Sequence, residues 1–88
     1  MRTAAKDRSA LAQAIVKSAT CRHWLPTEVR PGVYRLKLVQ RNHFVEIEIG
    51  IVGETNYSLT FVDANIPCRK YVQWIGNLER EIAKRAAP

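Results

Sequence analysis

Residues 34–50 read YRLKLVQRNHFVEIEIG, and no other run in the chain constrains the fold as much. Tyr34, Leu36 and Leu38 alternate with Arg35 and Lys37; then Val45, Ile47 and Ile49 alternate with Glu46 and Glu48. Alternation at period two marks strands with one buried and one solvated face. A tight turn at Arg41-Asn42 sets Val39 opposite Phe44, Lys37 opposite Glu46 and Arg35 opposite Glu48. On the other face Leu38 meets Val45, Leu36 meets Ile47 and Tyr34 meets Ile49. This register matches every charge with an opposite charge and every apolar residue with an apolar one. A slip of one residue puts Lys37 and Glu46 on opposite faces. Opposed charges across an antiparallel pair contribute a few tenths to about 1 kcal/mol each. The run reads as a self-neutralising hairpin and not as a basic strip reaching for nucleic acid.

The flanking segments build outward from this hairpin. Tyr57, Leu59 and Phe61 alternate with Ser58 and Thr60 and give a third strand, with GETN at residues 53–56 as the intervening turn. The first twenty residues are rich in alanine and read as a helix with Leu11, Ile15, Ser18 and Ala19 on one face, Ala12 and Val16 beside them. Residues 20–32, TCRHWLPTEVRPG, hold two prolines and a glycine and read as a long connector. A last helix follows, with Asn65 as its cap, Pro67 in its first turn, and Tyr71, Ile75, Leu78 and Ile82 as the buried stripe. Lys84 and Arg85 suit its C-terminal dipole. Gly76 is either a weak point or a place of close packing on the sheet. The expected fold is α+β in the order α-β-β-β-α: two layers, with both helices covering the apolar face of a three-stranded antiparallel sheet.

An 88-residue chain with 47% apolar residues makes a single small globular domain, residues 1–88. The net charge of +6 favours an acidic partner: an acidic protein face, nucleic acid or an anionic surface. Residues 1–30 carry six Lys/Arg against two acids, residues 31–66 three against four, and residues 67–88 five against two. The excess therefore belongs to the helices and loops. Strand three returns to the Arg41 turn, so Arg41 and His43 should lie beside Arg69 and Lys70. A first helix antiparallel to strand one adds Arg2, Lys6 and Arg8 to that end and leaves Arg22, Arg30, Lys84 and Arg85 at the other. Scattered solvated charge is the alternative to such a patch.

Catalytic and metal signals are weak. Cys68 beside Arg69 and Lys70 at a helix start has the setting of a low-pKa thiol, but His43 across the turn is the one base in reach. Cys21 and His23 are expected at one end of the sheet and His43 and Cys68 at the other, too far apart to share a metal ion. No nucleophile elbow, phosphate-binding loop or zinc-protease motif occurs. The reading is non-enzymatic, with no metal and no cofactor. Trp24, before Leu25-Pro26, is a candidate for an exposed binding anchor; the alternative is that it folds back to close the core edge. No run approaches the length of a membrane span, and no secretory signal is visible. Residues 1–17 have a faint transit-peptide composition, against which stand Asp7 and the lack of a processing site. The expected compartment is the cytoplasm.

The order α-β-β-β-α resembles the layout of the double-stranded RNA-binding domain. That resemblance implies RNA contacts from the first helix (Lys6, Arg8), the first hairpin turn (Arg41, His43) and the start of the last helix (Arg69, Lys70). The family's Gly-Pro turn is replaced here by QRNH, its lysine cluster by PCRKY and its alanine-rich last helix by VQWIGNLERE, so the likeness is one of layout. Small chains without a catalytic set also occur as phage or mobile-element accessory proteins, such as anti-CRISPR proteins, which bind and block a host machine. The leading expectation is an inhibitor or regulator that docks on a host protein or nucleoprotein through a basic surface comprising Arg41, His43, Arg69, Lys70, Lys6, Arg8 and Trp24. Direct RNA or DNA binding is the alternative.

Overall fold

The computed structural model describes Thr3 and residues 5–87. Six elements follow one another: α1 (Arg8–Cys21), β1 (Leu25–Arg30), β2 (Val33–Gln40), β3 (His43–Val52), β4 (Asn56–Ala64) and α2 (Cys68–Ala86). The strands form one antiparallel sheet in the order β1-β2-β3-β4. The class is α+β as expected, but the sheet has four strands and the order is α-β-β-β-β-α. The layout likeness to the double-stranded RNA-binding domain therefore does not extend to the strand count.

The hairpin register holds at every position. Val39 pairs with Phe44, Lys37 with Glu46, Arg35 with Glu48, Leu38 with Val45, Leu36 with Ile47 and Tyr34 with Ile49. Leu36, Leu38, Val45, Ile47 and Ile49 are all buried. They pack with Leu11, Ile15 and Ala19 of α1 and with Ile75, Leu78 and Ile82 of α2 in one core. β4 contributes Tyr57, whose hydroxyl donates to Glu79 Oε2 (3.4 Å). A bulge between Glu46 and Ile47 pairs them with Asp63 and Phe61, leaving Val62 unopposed. Phe61 packs edge-on against Tyr71, with ring centroids 5.4 Å apart.

The additional strand, β1, lies inside the segment expected to be a connector. It pairs antiparallel with β2, Leu25 against Lys37 through Arg30 against Val33. Its residues are exposed apart from Pro26, so it carries no apolar alternation. Pro26 is tolerated because β1 is an edge strand.

The helix ends also differ from expectation. α1 begins at Arg8, where Asp7 Oδ1 accepts from the Ala10 amide (2.9 Å). It ends at Cys21, with Arg22 as its C-cap and His23 in the left-handed region (φ 68°). His23 N–H donates to Thr20 O (3.1 Å) and Trp24 N–H to Ala19 O (2.7 Å). That pair of bonds is the Schellman closure, usually made with glycine. The N-cap of α2 is Pro67, not Asn65, and no side chain caps it. A Cβ on Gly76 would meet only Arg80 Nη2, at 3.6 Å, so close packing on the sheet does not explain that glycine. Among the described residues, no helix is long and apolar enough to cross a membrane.

Candidate functional site

The end of the sheet that carries the β2–β3 turn gathers the features that bear on binding. The turn has two residues, Arg41 and Asn42, between the paired Gln40 and His43. Arg41 is in the left-handed region (φ 58°), which a residue with a Cβ adopts at a cost. Asn65, the residue after β4, holds the turn from the strand next to β3. Its Nδ2 donates to Asn42 O (2.8 Å), and its Oδ1 accepts from the Phe44 amide (2.7 Å). Its own N–H donates to Phe44 O (3.2 Å). The side chain expected to cap the last helix is thus committed to the hairpin.

Because β4 returns to this end, α2 starts beside the turn. Lys70 and, one helical turn on, Trp74 join Gln40, Arg41, Asn42 and His43 around a cavity of about 350 Å³. The Nδ1 atom of His43 is buried and has no hydrogen-bond partner among the described residues. The uncapped N-terminus of α2 adds partial positive charge nearby. A second cavity, of about 610 Å³, adjoins the first: Gln40 and Trp74 line both. Its other walls come chiefly from the end of α1, Cys21 through Trp24, with Leu38 and Asn77.

The outer face of the sheet at this end is partly apolar. Leu25 is 69% exposed and Val39 63% exposed, and Phe44, opposite Val39, is partly covered. Leu25 pairs with Lys37, so all four side chains share one face. Lys37 Nζ lies 5.8 Å from the centroid of the Phe44 ring. It therefore turns to Phe44, and Arg35 takes Glu46 (3.7 Å) as well as Glu48 (3.1 Å). Arg30 also meets Glu48 (3.7 Å). The sheet charges are neutralised as expected, with Arg35 rather than Lys37 in the central role.

Among the described residues, no carboxylate lies within ion-pair distance of Lys37, Arg41, His43, Arg69 or Lys70. The structure thus brings Arg41, His43 and Lys70 together and leaves Arg69 exposed beside them in the chain. It separates the other sequence candidates. Arg8 is at the opposite end, where its Nη1 donates to Gly53 O (2.9 Å). Lys6 precedes it there, close in sequence to Thr3, whose amide donates to Thr55 O (2.7 Å). Arg2 lies outside the described residues. The cause is β1: one added strand reverses the chain between α1 and the hairpin. Trp24 is 4% exposed and belongs to the core, so it is not an exposed anchor. Arg22 is at the turn end and pairs with Glu81 (3.6 Å), which also takes Arg85 (3.0 Å). Arg30 is not with them, since it sits at the far end of β1.

Cys21 and His23 line the second cavity, at the same end as His43, so the expected separation of the four thiol and imidazole groups does not hold. Among the described residues, no three His, Cys, Asp or Glu groups are placed to hold one metal ion. Both cysteines are free and exposed. The sequence reading passed over Leu25, Val39 and Phe44 as binding residues. Their signal was present, since Val39 and Phe44 are apolar residues placed by the hairpin register on the charged face. Set against protein-family models, curated proteins and solved structures, the chain shows no significant match.

Proposed function

We propose that this protein is a non-enzymatic binding module, an inhibitor or regulator that docks on an acidic protein surface through the turn end of its sheet. One observation carries the reading. Exposed Leu25 and Val39, with Phe44, form an apolar strip on the outer face, bordered by Lys37 and Arg41, which have no acidic partner among the described residues. Exposed apolar residues grouped on one face mark protein contacts. Cations at the rim select an acidic partner and speed its approach. Nucleic-acid binding is less well supported. The rest of the outer face is neutralised by Arg35, Glu46 and Glu48, and Arg8 is at the far end, so no basic track runs along the sheet.

Affinity capture with nuclease treatment tests this. The partner retained by the wild-type protein should survive nuclease and be lost with Val39→Ser and Leu25→Ser, while Lys84→Gln retains it. Lys84 is about 21 Å along α2 from Lys70. A partner that disappears with nuclease, bound with an affinity falling steeply and linearly in log salt, would favour direct nucleic-acid binding instead.

A further inference from the structure

We infer that the cavity between the hairpin turn and α2 is an oxyanion subsite, built for a phosphate monoester carried by the protein partner. This rests on the docking reading above for the identity of the partner, but not for the chemistry of the pocket. Three residues with donor side chains line it from the hairpin and from α2: Arg41, His43 and Lys70. The guanidinium fork suits two oxygens of one anion, and the ammonium acts as a point charge. His43 Nδ1 is buried without a partner among the described residues, a state that native proteins resolve with a ligand or an ordered water. With hydrogen on Nδ1 and a turn of the ring about χ2, it supplies a third donor. A monoester has three terminal oxygens and can use all three. A carboxylate or a phosphodiester offers two such oxygens and one negative charge, a poorer match to two cations and a third donor set around one site.

The surroundings fit the same ligand. Among the described residues, no carboxylate is within ion-pair distance to compete for these groups. Trp74 gives the cavity an aromatic wall. Asn65 fixes the turn through Asn42 O and the Phe44 amide, so Arg41 is presented from a held backbone. That backbone keeps Arg41 at a positive φ. Departures of this kind cluster at ligand clamps. A volume of about 350 Å³ also leaves room for the group that bears the phosphate.

Two-dimensional NMR on the whole chain tests the pocket with defined probes at constant ionic strength. Phenyl phosphate should shift the signals of Arg41, His43, Lys70 and the Trp74 indole saturably, and dimethyl phosphate and benzoate should bind at least about tenfold more weakly. Arg41→Asn, a residue that tolerates the left-handed turn, and Lys70→Gln should each weaken phenyl phosphate about tenfold with the fold intact, while Lys84→Gln leaves it unchanged. Equal response to the three probes, or full affinity in both site variants, overturns the subsite. A 5′-phosphorylated oligonucleotide binding more tightly than a phosphopeptide overturns the protein-borne phosphate. Val39→Ser separates the two readings: it should keep phenyl phosphate affinity while losing the partner. Partner capture lost with Val39→Ser in a protein that binds no phosphate leaves the docking reading standing and removes the pocket.

Discussion

Replacing His23 or Arg41 with glycine should make the protein more stable, although each substitution deletes a whole side chain. His23 and Arg41 have φ values of 68° and 58°, and both side chains are exposed, so little packing is lost. A residue with a Cβ in this region costs roughly 1–2 kcal/mol, the lower end applying to histidine, which is enriched there. Glycine gives back about 0.4–1 kcal/mol through the greater freedom of its unfolded chain. The balance is a gain of about 0–0.6 kcal/mol for His23→Gly and up to about 1.6 kcal/mol for Arg41→Gly. For 88 residues, 1 kcal/mol moves the thermal midpoint by about 5 °C. Gly53 supplies the internal calibration: its φ is +71° and nothing lies within 4 Å of a Cβ built there. Gly53→Ala should therefore report the backbone cost alone, a loss of about 1 kcal/mol. Urea unfolding followed by circular dichroism measures all three. If both glycine variants lose stability while Gly53→Ala shows the expected loss, the turn backbones are not under strain and the reasoning fails. Arg41→Gly carries a further expectation, since the more stable protein should bind phenyl phosphate more weakly.

Three other predictions follow from particular contacts. A double-mutant cycle on Arg35 and Glu48, which bond at 3.1 Å, should show coupling of about 0.5–1 kcal/mol; the Lys37–Glu46 cycle should show almost none, because Lys37 Nζ lies over the Phe44 ring. Asn65→Ala should cost about 1–2 kcal/mol by removing two side-chain bonds to the hairpin, and hydrogen exchange should quicken first at the Phe44 amide. Burial, and secondarily the charge of Glu79, pushes the Tyr57 phenol well above its ordinary value of 10.0. The folded state therefore keeps a proton that the unfolded state releases above about pH 10, so stability falls as pH rises past that point, and Tyr57→Phe should flatten this part of a stability–pH curve.

The hairpin was legible because two independent patterns, apolar and charged, agree on one register. Register does not fix rotamers, however, which is why Lys37 turns to Phe44 while Arg35 serves both glutamates. β1 was illegible for a physical reason. Leu25 is on the solvent face, Pro26 interrupts the donors, and Glu28 is exposed, so no alternation marks the segment and its ladder with β2 holds it. Asn65 had the right residue type and position for a cap, but an asparagine side chain bonds whichever backbone groups are nearest, and here these are Asn42 O and the Phe44 amide. Arg41, His43 and Lys70 could be placed together from the sequence because their adjacency depends only on β2, β3 and β4, whose directions were read correctly. Lys6, Arg8 and Trp24 depend on the route between α1 and β2.

That route decides what kind of surface the turn end is. Without β1, the start of α1 would lie beside Arg41, and three elements would contribute cations to one long basic strip. With β1 as an edge strand, α1 runs the other way. Its start is tied to the β3–β4 turn by Arg8 and Thr3, at Gly53 O and Thr55 O. Its end delivers Cys21 through Trp24 to the flank of Gln40 and Trp74. Trp24 is drawn into the core by the same Schellman closure that holds His23 left-handed. Arg22, the one cation this brings to the turn end, is matched by Glu81. The turn end is therefore walled on one side by α1 and α2, open and apolar on the outer sheet face, and carries Lys37, Arg41, Arg69 and Lys70 with no carboxylate paired to them among the described residues. A surface of that shape suits one anionic group set beside an apolar contact. It suits less well a polyanion, whose affinity grows with the number of phosphates neutralised along its length.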